Sequence, residues 1–179
     1  MESRCKGDEE EIKETPKWIT ATTKYLKRRT KPIKWIILHH SGGHKGGDLL
    51  TLQGLTSKKA SSDFYVDKKG QIYKLNPQLT LFYTYHAGVS KFGGLSDLNR
   101  YTIGIETEHL PGEVWTEAQV KSIAEIAAWC LESASISTGL APDYIHSHKE
   151  VAWPRGRKVD PENFPWRKLS EYVAAYRRK

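Results

Sequence analysis

Residues 35–47 read WIILHHSGGHKGG: an apolar, β-branched run that ends on two adjacent histidines and opens into a glycine-rich loop carrying a third. Such a run, closed by turn-forming residues, predicts a short buried strand. Side chains alternate between the two faces of a strand, so His39 and His40 point to opposite sides and only one of them can join a given site. The pair alone does not define a metal centre.

The same reading places other elements around this strand. DFYVDKKGQIYKL (63–75) is a hairpin pattern, with two β-rich runs about a Lys-Lys-Gly turn, and YTIGIETEH (101–109) reads as another strand. TEAQVKSIAEIAAWCLESA (116–134) is the clearest helix. Thr116 is its expected N-cap, with Gln119 completing a capping box. Val120, Ile123, Ala127 and Cys130 recur at helical spacing, which puts Cys130 in the core. DYIHSH (143–148) predicts a short strand, and PWRKLSEYVAAYRR (165–178) a closing helix with Leu169, Val173 and Tyr176 on one face. The mixture predicts an α/β single domain: a central mixed β-sheet flanked by helices.

The chain has 179 residues, enough for one sizeable core. Lys and Arg outnumber Asp and Glu by 28 to 21, giving a formal charge of +7 and a pI near 9.3. That balance favours polyanionic partners without choosing among them. Cys5 and Cys130 are far apart, so no disulfide framework is expected and a reducing folding compartment is. The start, MESRCKGDEEEIKE, is polar where a secretory signal has its apolar region. No apolar run approaches the roughly 20 residues of a membrane span. Residues 1–31, acidic at Asp8–Glu11 and basic from Lys24, are read as an amino-terminal extension, with the domain proper at 32–179. The extension is expected to be a solvated arm or a short helix packed on the domain; its rival reading is a polyanion-binding arm.

Two further stretches carry candidate chemistry. HSHKEVAWPRGRKVDP (146–161) offers His146 and His148, expected on one strand face, followed by Lys158 and Asp160. Imidazole nitrogen and carboxylate oxygen are ordinary zinc ligands, and three protein ligands with an open position make a catalytic rather than a structural site. In YTIGIETEH, Glu106 and Glu108 share a strand face. A carboxylate beside zinc-activated water can act as its base, because zinc lowers the pKa of that water to about 7.

Together, IILHHSGG (36–43), YHAGVSKFGG (85–94), NRYTIGIETE (99–108) and HKEVAWPRGRKVDP (148–161) occur in the order and approximate spacing of the zinc-dependent N-acetylmuramoyl-L-alanine amidases. The chain thus resembles the amidase-2 family, whose fold is shared with phage lysozyme-type amidases and peptidoglycan recognition proteins. The resemblance spans roughly residues 33 to 170. It implies one Zn2+ held by His39, His148 and Asp160, Glu106 as general base, Lys158 as oxyanion stabiliser, and His86 with Asn99 lining the substrate groove. His146 competes with His148 for the second ligand position, and the better motif spacing favours His148. Where some phage-type members carry a helper tyrosine, this chain has Ser62. His40 is expected to be structural and His44 solvated.

The implied activity is hydrolysis of the amide between N-acetylmuramic acid and L-alanine in peptidoglycan. The implied setting is a phage or prophage endolysin: a monomer made in the cytoplasm, reaching the wall through a holin-type protein, without membrane insertion or nucleic-acid binding. A cytosolic muropeptide-recycling amidase and a non-catalytic peptidoglycan-binding module are the alternatives. Relatives of the last kind lose zinc ligands, whereas this chain keeps every candidate.

Overall fold

The computed structural model describes residues 18–178; Cys5 and the acidic Asp8–Glu11 stretch lie outside the described residues. In chain order the first elements are β1 (Ile19–Thr20), β2 (Lys27–Arg28), β3 (Trp35–Leu38), α1 (Lys45–Leu52), β4 (Phe64–Val66), β5 (Ile72–Lys74) and β6 (Phe82–Tyr83). There follow β7 (Lys91–Phe92), β8 (Leu95–Ser96), a 3-10 turn (Leu98–Tyr101), β9 (Thr102–Thr107), α2 (Glu117–Glu132) and α3 (Ala134–Ser137). The chain ends with β10 (Ile145–Ser147), α4 (His148–Val151) and α5 (Trp166–Tyr176). Among the described residues no helix is long and apolar enough to cross a membrane.

A six-stranded sheet in the order β1-β5-β4-β9-β3-β10 forms the centre. Its neighbours run parallel except β4 and β5, which form the expected hairpin, with Gly70 at φ 81° in the turn. β3, β9 and β10 therefore end at the same edge of the sheet, where ligands of open α/β sheets collect.

Strand alternation divides the core. Ile36, Leu38, Phe64, Val66, Ile103 and Ile105 face α2 and α5 and pack with Val120, Ile123, Cys130, Leu169 and Val173. Thr116 caps α2 through the expected box with Gln119. On the opposite face Trp35 and Ile37 pack with Ala87, Leu98 and Val151, while Tyr65 and Tyr73 lie with Leu49 and Leu52 of α1. By strand alternation His39, Thr102 and Glu106 lie on this second face, and the candidate site is built there.

The expected boundary between residues 31 and 32 falls inside the fold. From Trp18 onward the chain is neither a loose arm nor a helix: β1 extends the sheet beside β5, β2 pairs with β6, and Trp18 packs edge-on against Phe64 and Trp129. The physical reason is Arg29. Its buried guanidinium donates to the carbonyls of Leu79 (2.8 Å), Arg100 (2.8 Å) and Thr102 (2.9 Å). Asp63, fully buried, supplies counter-charge and accepts from the Gly104 amide (2.8 Å) and the Asn76 side chain (2.7 Å).

Replacing Arg29 by Ala strands three carbonyls and leaves Asp63 without its cation. Urea unfolding of Arg29→Ala is expected to show a loss of about 3–5 kcal/mol, as for one partner of a buried charge pair. Lys27→Ala, on the exposed strand beside it, should stay within about 0.5 kcal/mol.

Candidate active site

His39 immediately follows β3, Glu106 is the penultimate residue of β9, and His148 immediately follows β10. The parallel register of these strands brings the three residues to one edge. Asp160 arrives from the loop before α5, and its backbone carbonyl accepts from the Lys149 amide (2.9 Å), tying that loop to α4.

His39, His148 and Asp160 are buried, and one ligand atom from each lies within 4.8 Å of the others. Asp160 Oδ2 is 3.0 Å from His148 Nδ1 and 3.5 Å from His39 Nδ1. His39 Nδ1 is a buried nitrogen with no hydrogen-bond partner. Burial, with the His148 and Lys158 charges, lowers the His39 pKa to about 4, against the pull of Asp160. Burial alone would raise the Asp160 pKa, but the hydrogen bond with His148 and the close approach of His39 win and hold it well below the carboxylate range. A mixed N/N/O donor set around an orphaned imidazole nitrogen fits a divalent cation of the zinc type.

The outer nitrogens are already engaged. His39 Nε2 lies 2.9 Å from His86 Nδ1, and His148 Nε2 lies 3.1 Å from the Ala87 carbonyl. His86 Nε2 is 3.1 Å from Thr102 Oγ1, whose hydroxyl donates to the Leu98 carbonyl at 2.7 Å. The terminal carbonyl can only accept, so the chain is satisfied when each imidazole donates outward from Nε2. That arrangement leaves His39 Nδ1 bare toward the site, the tautomer a metal ligand needs.

Residues 86 and 87 therefore support both candidate ligand histidines, His39 and His148, through their outer nitrogens. His86 and Asn99, expected to line the substrate groove, are both buried. Asn99 Oδ1 is occupied by the backbone amides of His86 (2.9 Å) and Ala87 (2.8 Å). Gly104 makes room: a Cβ there would stand 2.3 Å from the His86 ring. The Arg157 guanidinium, from the ligand loop, clamps the same segment through the carbonyls of Ala87 (3.2 Å) and Val89 (2.7 Å).

Other expectations resolve geometrically. His146 and His148 do not share a strand face, because Ser147 caps α4 in a box with Glu150 and the turn begins at His148. His146 instead sits 3.2 Å from Asp143 and against the Phe92 ring. His40 points to the other side of the sheet and stacks with His109, which stacks on Trp115. His44 is exposed. Ser62 is buried and donates to the Gly104 carbonyl (2.9 Å).

The two glutamates separate clearly. Glu108 accepts from the amides of Lys45 (3.1 Å) and Lys68 (2.9 Å). Glu106 has a buried Oε2 with no partner; burial, helped by Asp160 and Asp48 and opposed by Lys158, pushes its pKa up to about 8. Asp48 accepts from Ser41 (2.6 Å) and from Tyr65 (2.8 Å), the residue in register with Glu106. Sequence reasoning missed Thr102, Asp48, Tyr65 and Arg157. Alternation back from Glu106 reaches Thr102 on the same face; the others are joined only by the fold.

Fold and donor set together define an α/β domain with a candidate metal centre of the open, catalytic type. Residues 29–163 match the family model described as N-acetylmuramoyl-L-alanine amidase, and the chain belongs to that family. It is 28% identical over 156 residues to the N-acetylmuramoyl-L-alanine amidase AmiD of Escherichia coli K12, covering 78% of this chain and 52% of AmiD. It is 35% identical over 90 residues to the 1,6-anhydro-N-acetylmuramyl-L-alanine amidase AmpD of Haemophilus influenzae, covering 50% of this chain and 46% of AmpD. The chain thus spans about half the length of these curated relatives. A crystal structure of a selenomethionine AmpD derivative superposes with a TM-score of 0.75 at 20% identity, covering 87% of this chain and 94% of that one.

Thr102→Val removes the acceptor for His86 while keeping the shape of the side chain. Zinc titration against a chromogenic chelator should show affinity reduced about 10- to 100-fold, the usual effect of losing an outer partner. Thr102→Ser should retain near-normal affinity.

Proposed function

We propose that the protein is a zinc-dependent amidase that hydrolyses the bond between the lactyl group of N-acetylmuramic acid and L-alanine of the stem peptide. The observation that carries this reading is the buried, unpartnered Glu106 oxygen within electrostatic range of Asp160, one of three residues with convergent ligand atoms. Zinc held by His39, His148 and Asp160 would supply Lewis-acid polarisation of the scissile carbonyl and acidify the attacking water. Glu106 accepts the proton of that water and passes it to the leaving amine, so that the C–N bond breaks as the new C–O bond is kept. Lys158, exposed on the ligand loop and within electrostatic range of Glu106 and His39, is the cation that stabilises the developing oxyanion. His86 and Asn99 act from beneath, by orienting the ligands and the loop.

Glu106→Gln should retain zinc and lose most turnover, at least about a hundredfold, the common scale of general base catalysis. Mass spectrometry of digested peptidoglycan is the readout, looking for free lactyl groups matched by new L-alanine amino termini. Near-normal product formation by the variant would remove Glu106 as the base.

The setting we propose is lysis of intact wall, as by a phage or prophage lysin that reaches the wall through a holin-type partner. Its support is the strongly basic chain. A second reading, cleavage of soluble muropeptides, is favoured by the similarity to AmiD and to AmpD, an amidase named for anhydro-muramyl substrates. Rates on intact sacculi and on soluble anhydro-muropeptides separate the two. The lysin reading expects release of wall material, and it fails if only the soluble substrate is turned over.

A further inference from the structure

The densest excess of positive charge lies in the amino-terminal part of the described chain. Between Trp18 and Ser62 the chain has nine basic residues (Lys24, Lys27, Arg28, Arg29, Lys31, Lys34, Lys45, Lys58 and Lys59) against a single acid, Asp48. Arg29 is buried in its carbonyl cage, Lys45 pairs with Asp67 at 2.9 Å, and Asp48 is held by Ser41 and Tyr65. Lys24, Lys27, Arg28, Lys31, Lys58 and Lys59 are exposed, and none forms an ion pair among the described residues.

Five of these six cations lie on exposed segments that the fold ties into one ledge, with Lys27 and Arg28 on opposite faces of β2. The Lys24 amide donates to the Gln53 carbonyl (3.3 Å), and the Tyr25 carbonyl accepts from Ser61 Oγ (3.3 Å). The loop bearing Lys58 and Lys59 therefore runs between two points anchored beside Lys24 and Tyr25. Lys27 and Arg28 stand opposite Tyr83 and Phe82 in the β2–β6 ladder. Ser61 joins the ledge to the segment beneath the candidate site, since its Oγ also accepts from the amide of Tyr85 (2.8 Å), the exposed residue immediately before His86.

We infer that this ledge binds a wall-borne phosphodiester polymer and holds the candidate site against its substrate. Cations spread over a strand and a neighbouring loop suit a flexible chain with repeated negative charges, engaged by several exchangeable contacts, better than one compact anion. Leu50, Leu55 and Leu81 are the exposed leucines on and beside these segments, and the vesicle arm of the test separates a lipid surface from a wall polymer. The choice of a wall polymer rests on the proposed amidase function; the preference for a polyanion rests on the ledge itself.

The test is sedimentation of the full chain with purified cell walls, before and after hydrofluoric acid removes their phosphodiester polymers. The same assay is run at low and high salt, with anionic phospholipid vesicles as a parallel probe. The comparison protein carries Lys24→Gln, Lys27→Gln, Arg28→Gln, Lys58→Gln and Lys59→Gln. A Lys58→Gln, Lys59→Gln loop variant serves if the larger one does not fold. Retention on untreated walls should drop about tenfold with the larger substitution and severalfold with the smaller, and high salt should release the native chain. Equal retention by stripped walls, or by the ledge variants, overturns the inference, and stronger retention on vesicles reassigns the ledge to a membrane. Turnover of a small soluble muropeptide, with no polymer attached, should be the same in native and ledge-variant proteins. Absence of turnover in both would count against the amidase reading and leave the binding result standing.

Discussion

The backbone carbonyl of Leu98 has no proton to give, and that asymmetry propagates through the site. It takes the Thr102 hydroxyl proton, so Thr102 can accept from His86 Nε2, and His86 Nδ1 is free to accept from His39 Nε2. Burial pushes the His86 pKa well below its ordinary value, and the neighbouring His39 and His148 charges add to this. A neutral His86 has one donor and one acceptor nitrogen, so the chain has a single consistent direction. Every member is needed to leave His39 Nδ1 bare. Gly104 belongs to the same constraint: a side chain there would displace the ring in the middle of the relay.

The scaffold makes this relay possible by fixing two kinds of distance. Parallel pairing of β3, β9 and β10 sets the relative height of His39, Glu106 and His148 along the sheet. The loop from Tyr85 to Val89 lies across that edge, and its position is set from below by Asn99 and from the side by Arg157. The Arg29 cage holds the carbonyl of Thr102, at the start of the strand that bears both Thr102 and Glu106. An apparently peripheral arginine in the amino-terminal part of the chain thus sits two hydrogen-bonding steps from the ligand His39's partner.

What was legible in the sequence follows from what is local. The capping box at Thr116, the hairpin about Gly70 and the opposite destinations of His39 and His40 are each set by a few adjacent residues, and each stands in the structure. The motif resemblance supplied His39, His148 and Asp160, and the fold brings them together. What failed was non-local or misjudged in period. The strand at 145–147 was extended through His148 because the Ser147–Glu150 box was not recognised as a helix start. Residues 18–31 read as an arm because their long-range partners lie from 29 to 107 positions further on, beyond any periodic signal. The motif places Asn99 by the substrate groove, and that its side-chain carbonyl accepts from two backbone amides is visible only in the fold.

Glu106 and Glu108 show why residue type and strand face do not by themselves decide a role. Both acids sit on one side of the strand and its extension, yet Glu108 holds two loops through backbone amides while Glu106 Oε2 holds nothing. A buried carboxylate without donors is unfavourable in its ionised form, and Asp160 and Asp48 make it more so. The fold bears that cost at one residue only, having neutralised the competing demands around it. Asp48 is turned toward Ser41 and Tyr65, and Asp160 toward the two imidazoles. Ionisation of Glu106 becomes favourable as positive charge enters the neighbouring donor set or Lys158 closes on it. The ionisation of Glu106 is thereby coupled to the charge in the donor set beside it, which that of a solvent-exposed glutamate at the same position would not be.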